Sequence, residues 1–476
     1  MICSGRAQSG SSRFGLALLS GSVIAAQRGK FVPQTRSRHV RAATVSVSRK
    51  PIPARKEWKV ALVGYGTVGK SVARILSGDP DSPFVLTHIF NRNIARKKTD
   101  GLPSRIEWTE AIEDVLASDA DIIVELIGGL DPAGPWIDRA LRSGKSVVTA
   151  NKQLICKRGA ELMKTARDAG RRLEFGASVA GGIPAIIGIQ EGLSGDRLFK
   201  IAGILNGTCN FILTKMDSTG ATFDEALKEA QELGFAEADP TADVEGYDAR
   251  AKLVILSQAG LRVDVRDDQV LTRSITTIDA VDFLYVGELN CTIRQLSLAQ
   301  TDSANGFRLF AAVQPAVIPL TSMMAHVQGS QNLVMATGEY AGRMMFSGYG
   351  AGGDPTAVAV ISDLYSIART AGAPSETLPD APRIADAVSG DFTVPHYLRF
   401  VVRDRPGILA EIAAALAKYC IGIDAVLQKP GFPEEELSFV MTLEACDSAL
   451  LHRALAEIAR LDFHVKPPLC LPIYAD

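Results

Sequence analysis

The sequence predicts an α/β protein: a doubly wound parallel sheet, then an α+β domain, then a small C-terminal domain in βαββαβ order. Three observations carry this reading. Strand-like and helix-like patterns alternate from Trp58 to about residue 150, a glycine-rich turn joins the first strand to the first helix, and a new pattern starts at His396 after a Pro-rich stretch. The length of 476 residues suits two or three domains, and 47% hydrophobic with 22% charged residues suits sizeable cores. A net charge of -2 points to neither nucleic acid nor an acidic membrane as partner, and no apolar run is long enough to span a bilayer.

Residues 1–56 stand apart. They contain no Asp or Glu, while Arg6, Arg13, Arg28, Arg36, Arg38, Arg41, Arg49 and Arg55 are interleaved with serines. That is the composition of a cleaved organelle-targeting leader, or of a disordered basic tail. The mildly apolar stretch from Gly15 to Ala26 could pass for the core of a secretory signal, but the basic, hydroxylated segment continuing far beyond it weakens that reading. Val40-Arg41-Ala42-Ala43 resembles a plastid processing site, so the expected location is the plastid stroma, with mitochondrion or cytoplasm as alternatives.

From Trp58 the order of elements is legible. Lys59 to Val63 is an apolar run of the buried-strand type, and Ser71 to Leu76 reads as a helix. Between them lies Gly64-Tyr65-Gly66-Thr67-Val68-Gly69, the GxGxxG of a Rossmann-type dinucleotide site. Gly64 permits the tight turn, Gly66 admits a pyrophosphate, Gly69 brings helix and strand close, and the helix N-terminus meets the phosphates. The second strand, Phe84 to Phe90, is followed by Asn91-Arg92-Asn93 and Arg96-Lys97-Lys98 where an NAD-specific site places an acid. A guanidinium pairs with a 2′-phosphate, so Arg92 predicts NADP(H), with NAD as the alternative. Asp121 to Gly129 and Lys145 to Ala150 supply two more strands. Lys152 comes just beyond the second, past the carboxyl ends of the strands, where such folds bind ligands.

The segment from Leu233 to Lys252 holds the acids Glu237, Asp239, Asp243, Glu245 and Asp248 and then enters an apolar helix. Asp248 and Lys252, four apart, share a helix face. Such pairs are ordinarily surface salt bridges worth little. The acid cluster and the apolar run give this one a second reading: a lysine steered by a carboxylate to protonate a developing alkoxide, with other carboxylates holding a substrate ammonium. The seven cysteines are scattered singly, without a CxxC or Cys/His cluster, and read as packed thiols.

Taken with Thr149-Ala150-Asn151-Lys152, Ala177-Ser178-Val179-Ala180-Gly181-Gly182-Ile183-Pro184, Gly203-Ile204-Leu205-Asn206-Gly207-Thr208 and Gly350-Ala351-Gly352-Gly353-Asp354-Pro355, these motifs resemble the homoserine dehydrogenase family from about residue 58 to 476. The resemblance implies NADPH-dependent reduction of L-aspartate 4-semialdehyde to L-homoserine, in threonine, methionine and isoleucine biosynthesis. It implies catalytic roles for Lys252, Lys152 and Asp248, and substrate binding by Glu237, Asp243, Thr208 and Gly207. Gly64, Gly66, Thr67, Val68, Gly69, Arg92, Lys152 and Gly350 would bind the cofactor. The backbone carbonyls of Gly176, Val179, Gly181 and Ile183 would hold a monovalent cation, sodium in the family. The domains implied are 57–175 with residues about 340–373 returning to it, a catalytic and dimerisation domain at 176–339, a linker at 374–395 and a last domain at 396–476. A homodimer or homotetramer is expected.

The chain departs from the family pattern at Gly176 (commonly Glu), Cys209 (Thr or Ser), Phe235 (Tyr) and Tyr349 (Pro). A Cys-nucleophile dehydrogenase or an amino-acid-sensing scaffold are the rival readings. The first lacks a visible base for its thiol, and the second does not need the lysines.

In the last domain His396 to Val402 reads as a strand, Pro406 as a first helical residue, and Ile408, Leu409, Ile412 and Leu416 as a helical stripe. Ile421 to Gln428 and Leu437 to Leu443 read as strands and Ser448 to Leu461 as a helix. The order resembles an ACT domain, which implies an amino-acid effector and feedback by threonine, or dimerisation alone. Leu443 stands where histidine is frequent in such domains.

Overall fold

A computed structural model describes residues 57–97, 101–302, 307–350, 352–371 and 382–474. Residues 1–56, where a targeting leader is expected, Lys98, Ala351 and residues 374–381 of the expected linker lie outside the described residues.

The first sheet has six parallel strands, β1 (Trp58–Val63), β2 (Phe84–Phe90), β3 (Glu107–Thr109), β4 (Ile122–Glu125), β5 (Ser146–Thr149) and β6 (Leu173–Glu174), in the order β3-β2-β1-β4-β5-β6. Its central strands β1 and β4 read as near-continuous apolar runs because both faces are covered. Val60, Leu62, Ile122, Val124 and Val148 pack against Val72, Ala73 and Leu76 of the helix Thr67–Gly78. Ala61, Val63, Ile123 and Val147 pack on the opposite face against Ile137, Leu141 and Leu154 of the helices Ala133–Arg142 and Lys152–Asp168. The first face is completed from far along the chain by the helix Gly353–Arg369, through Ala357, Val360, Leu364 and Ile367. Strand order reverses between β1 and β4, which opens a crevice beyond their carboxyl ends.

The second sheet is mostly antiparallel and runs Gly342–Tyr349, Gln331–Gly338, β7 (Leu198–Ile204), Cys291–Asp302, Arg308–Pro319, Ala387–Ser389. Its longest pairing matches Cys291 with Pro319 through to Asp302 with Arg308. β7 runs out directly into Leu205-Asn206-Gly207, and so brings Leu205 and Asn206 against Lys252 and Asp248.

The C-terminal sheet is antiparallel, in the order Ile423–Gln428, Leu437–Asp447, Thr393–Val402, His464–Pro472, with the helices Ile408–Lys418 and Ser448–Ile458 on one face. Leu443 is buried in the core between sheet and helices. The other face, through Tyr397, Val440, Leu469 and Leu471, packs on Phe283 and Val286 of the helix Ala280–Glu288.

Three expectations need correction. The stretch read as a linker contributes Arg383–Ile384, paired with Val263–Asp264, and Ala387–Ser389, paired with Arg308–Phe310; these strands are too short to show a period. The strand expected from His396 starts at Thr393, and Pro395, which cannot donate to a ladder, sits at a register shift between Val394 and His396. Pro406 is not the first helical residue. The helix opens at Ile408, because Gly407 ends the turn in the left-handed region at φ +100°.

Candidate active site

The glycine turn is built as its chemistry requires. Gly64 has φ +109°, a conformation that a side chain resists. A Cβ on Gly69 would strike the Gly64 carbonyl oxygen, so helix and strand approach closely only with glycine there. A Cβ on Gly66 would meet nothing within 4 Å, which leaves its backbone open for a pyrophosphate. These residues fit a dinucleotide. Beyond them lies a cleft of 650 Å³ lined by Thr67 and Val68, by Leu126 to Gly129, by Asn151 and Lys152, by Ala180 and Gly181, by Lys252, and by Gly350. It joins residues from six separate stretches of the chain.

At one wall stands a carboxylate between two ammonium groups. The helix Tyr247–Leu256 starts after Gly246, itself at φ +81°, and places Asp248 and Lys252 one turn apart. Asp248 Oδ2 lies 2.7 Å from Lys252 Nζ, and Oδ1 pairs with Lys152 Nζ. Lys152 is the first residue of its helix, whose N-cap Asn151 accepts the Leu154 N–H. Burial alone would raise the Asp248 carboxyl, but Lys252 and Lys152 outweigh it and hold it well below the usual carboxylate range. Lys252 Nζ also donates to the Leu205 carbonyl at 2.7 Å. Two of its three protons are thus committed, and the third remains for the cleft that its side chain lines.

Asn206 completes this wall, and the sequence reading assigned it no role. It caps the helix Gly207–Thr219 by accepting the Cys209 N–H, while its amide donates to Asp243 at 2.6 Å and Asp248 at 2.9 Å. Its position at the head of an Asn-Gly-Thr run was the available signal. Thr208 is buried and its hydroxyl donates to the Phe235 carbonyl at 2.7 Å, bracing the turn before Glu237. Gly207 lies close to the Ser330 backbone, where a Cβ would be 2.8 Å from its carbonyl oxygen. Glu237 is exposed and Arg92 is exposed two residues past β2; neither lines the cleft, whereas Asp243 is tied to it through Asn206.

Cys209 is no nucleophile. Burial, then the charges of Asp243 and Asp248, push its thiol well above the ordinary range, and its Sγ–H donates to the Asp243 carbonyl. That removes the Cys-dependent rival at this site.

At Gly176 a Cβ would come within 2.6 Å of an Asp363 carboxylate oxygen, so Asp363 fills the space a larger residue would need. Burial, reinforced by Glu174, raises the Asp363 carboxyl well above its ordinary range. Ala180 and Gly181 turn through φ +57° and +50°, and the Ile183 carbonyl accepts the Ala185 N–H at 2.7 Å. Among the described residues no group of three or more His, Cys, Asp or Glu is placed to hold a metal, so a cation here would rest on backbone carbonyls.

Fold and cleft together define an NAD(P)-dependent oxidoreductase acting on a CH–OH group. Residues 64–176 match the family described as homoserine dehydrogenase, NAD binding domain; residues 184–365 match homoserine dehydrogenase; residues 396–463 match the ACT domain. Homoserine dehydrogenase of Mycobacterium tuberculosis is 41% identical over 388 residues, covering 78% of this chain and 86% of its own. That of Bacillus subtilis is 36% identical over 397 residues, covering 81% and 91%. The crystal structure of a homoserine dehydrogenase from Thiobacillus denitrificans superposes with TM-score 0.80 at 35% identity, over 88% of this chain and 98% of its own. The chain belongs to the homoserine dehydrogenase family.

Proposed function

We propose that this chain reduces L-aspartate 4-semialdehyde to L-homoserine with NADPH, on the route to threonine, methionine and isoleucine. The observation that carries the reading is the Lys152–Asp248–Lys252 array on the wall of a cleft that also holds the dinucleotide turn. The bound cofactor supplies the hydride. Lys252 donates a proton to the alkoxide oxygen that develops as the carbonyl is reduced, and Lys152 adds a second positive charge at the same oxygen. Asp248 holds both ammonium groups in place, and Asn206 holds Asp248. Asp243, tied to this wall through Asn206, takes the ammonium of the amino-acid substrate, with Thr208 and Gly207 shaping that end; Glu237, exposed outside the cleft, is supported in the same role by the family resemblance alone.

NADPH rather than NADH is supported by Arg92 beyond β2. A monovalent cation on the carbonyls of Gly176, Val179, Gly181 and Ile183 suits the glycine-rich turn. Regulation by threonine rests on the ACT domain, and plastid residence on the composition of the leader. Assembly into two or four copies is supported by the edge strand Gly342–Tyr349, which exposes Met344, Met345 and Tyr349.

Lys252→Ala tests the reading. Its kcat is expected to fall about 10²–10⁴-fold with NADPH binding retained. A variant keeping most of its turnover would remove Lys252 from the chemistry.

A further inference from the structure

We infer that Glu125 is the positioning residue that locks together the two loops flooring the cleft and, through Asn151, sets where Lys152 stands. This rests on the role proposed above for Lys152.

Glu125 is the last residue of β4, at the point where strand order reverses. Its side chain is buried, at 1% exposure. A buried carboxylate is costly unless its oxygens are bonded. Here Oε1 accepts the backbone N–H of Ile127 at 2.7 Å and of Gly128 at 3.0 Å, and Oε2 accepts the Thr149 hydroxyl at 2.6 Å. All three partners are neutral, so the carboxylate is held by geometry rather than by a counter-ion.

The network continues from both ends. Thr149 Oγ1 accepts the Asn151 N–H at 3.0 Å, and the Asn151 amide donates to the Gly129 carbonyl at 2.6 Å. Gly128 and Gly129 are both left-handed, at φ +73° and +76°, which lets the chain turn back toward Asn151. The result is a closed circuit: Glu125, the loop Ile127–Gly129, Asn151, Thr149, and back to Glu125. Both loops line the cleft. Asn151 is also the N-cap of the helix whose first residue is Lys152. Loss of the circuit would leave Lys152 attached to Asp248 but release the backbone that aims it.

The test is steady-state kinetics of Glu125→Gln, Thr149→Val, Lys152→Ala and the Glu125→Gln/Lys152→Ala double variant, with melting temperatures alongside. Glutamine keeps an acceptor for the two backbone N–H groups but turns a donor toward Thr149, whose proton then loses its acceptor. E125Q is expected to lower kcat about 10- to 100-fold with KM for the aldehyde within about twofold, because a misplaced group costs turnover rather than ground-state binding. T149V should do the same in smaller measure. In the K152A background E125Q should cost nothing further, the mark of residues acting as one unit. If K152A is impaired while E125Q and T149V turn over like the parent, or if the losses multiply in the double variant, the inference is overturned. If E125Q does not fold, T149V paired with K152A reads the same coupling. A K152A variant with parental kcat would instead sink the role of Lys152 itself.

Discussion

A carboxylate flanked by two lysines is a different object from a carboxylate facing one. Asp248 is buried at 7% side-chain exposure, yet its charge is fixed because Lys252 and Lys152 lie on both oxygens. Its ionisation therefore persists far into acid, and an acidic fall in turnover would have to come from another group. Arg92 poses the opposite case: it is exposed, and any grip on a 2′-phosphate would come from a charged, bidentate contact. Arg92→Ala is expected to raise KM for NADPH about tenfold or more while leaving KM for NADH within about twofold. Equal losses with the two cofactors would dismiss 2′-phosphate recognition. At this scale the sequence was a good guide where local spacing decides. Asp248 and Lys252 are one helical turn apart, and Lys152 follows a strand end. It was a poor guide where partners are remote. Asn206 acts on residues 37 and 42 positions away, and its place at the head of a helix announces the cap but not these partners.

Elements show the same division. Four strands of the parallel sheet were legible because they are mostly apolar runs, while β3 and β6, of three and two residues, went unread; the glycine turn was legible because each glycine has a steric reason. The short strands at 383–389 were not, since two or three residues carry no period and their pairing is set by the sheet they join. The contact between the ACT sheet and the helix Ala280–Glu288 was also invisible. Its centre is Asp282, wholly buried, which accepts the Tyr397 hydroxyl at 2.8 Å, the Arg399 guanidinium at 2.9 Å and the Asp279 N–H at 2.9 Å. Burial pushes this carboxyl up to about 6 from an ordinary 3.8, with Arg399 opposing the shift. The folded state then holds the proton more tightly than the unfolded chain between those values. Stability from this group is greatest below 3.8 and falls as pH rises toward about 6. Asp282→Asn, which removes the titrating group while Arg399 keeps Asp279 at 3.9 Å, is expected to flatten that slope. Melting temperatures from pH 4 to 7 check this, and an unchanged slope in the variant would contradict it.

At the scale of the molecule, three bodies meet through a few structural members. The helix Gly353–Arg369 returns from the second sheet to cover the first, and Asp354 bonds Ser71 and Arg74 of the opening helix. β7 carries Asn206 from the second sheet to Asp248. The helix Ala280–Glu288 meets the ACT sheet, so that domain is seated on the catalytic body through a buried ion pair rather than hung from it by a bare tether. Leu443 faces the ACT core, where a histidine would be surrounded by hydrocarbon. An effector signal, if threonine supplies one, therefore has a packed path toward the second sheet that does not require that position.

The most direct measurement is NADPH oxidation by the chain without residues 1–56, supplied with L-aspartate 4-semialdehyde and followed by absorbance with product analysis. The account expects rapid enzyme-dependent loss of NADPH with L-homoserine formed in equal amount. A folded, NADPH-binding sample that leaves this aldehyde untouched would contradict it.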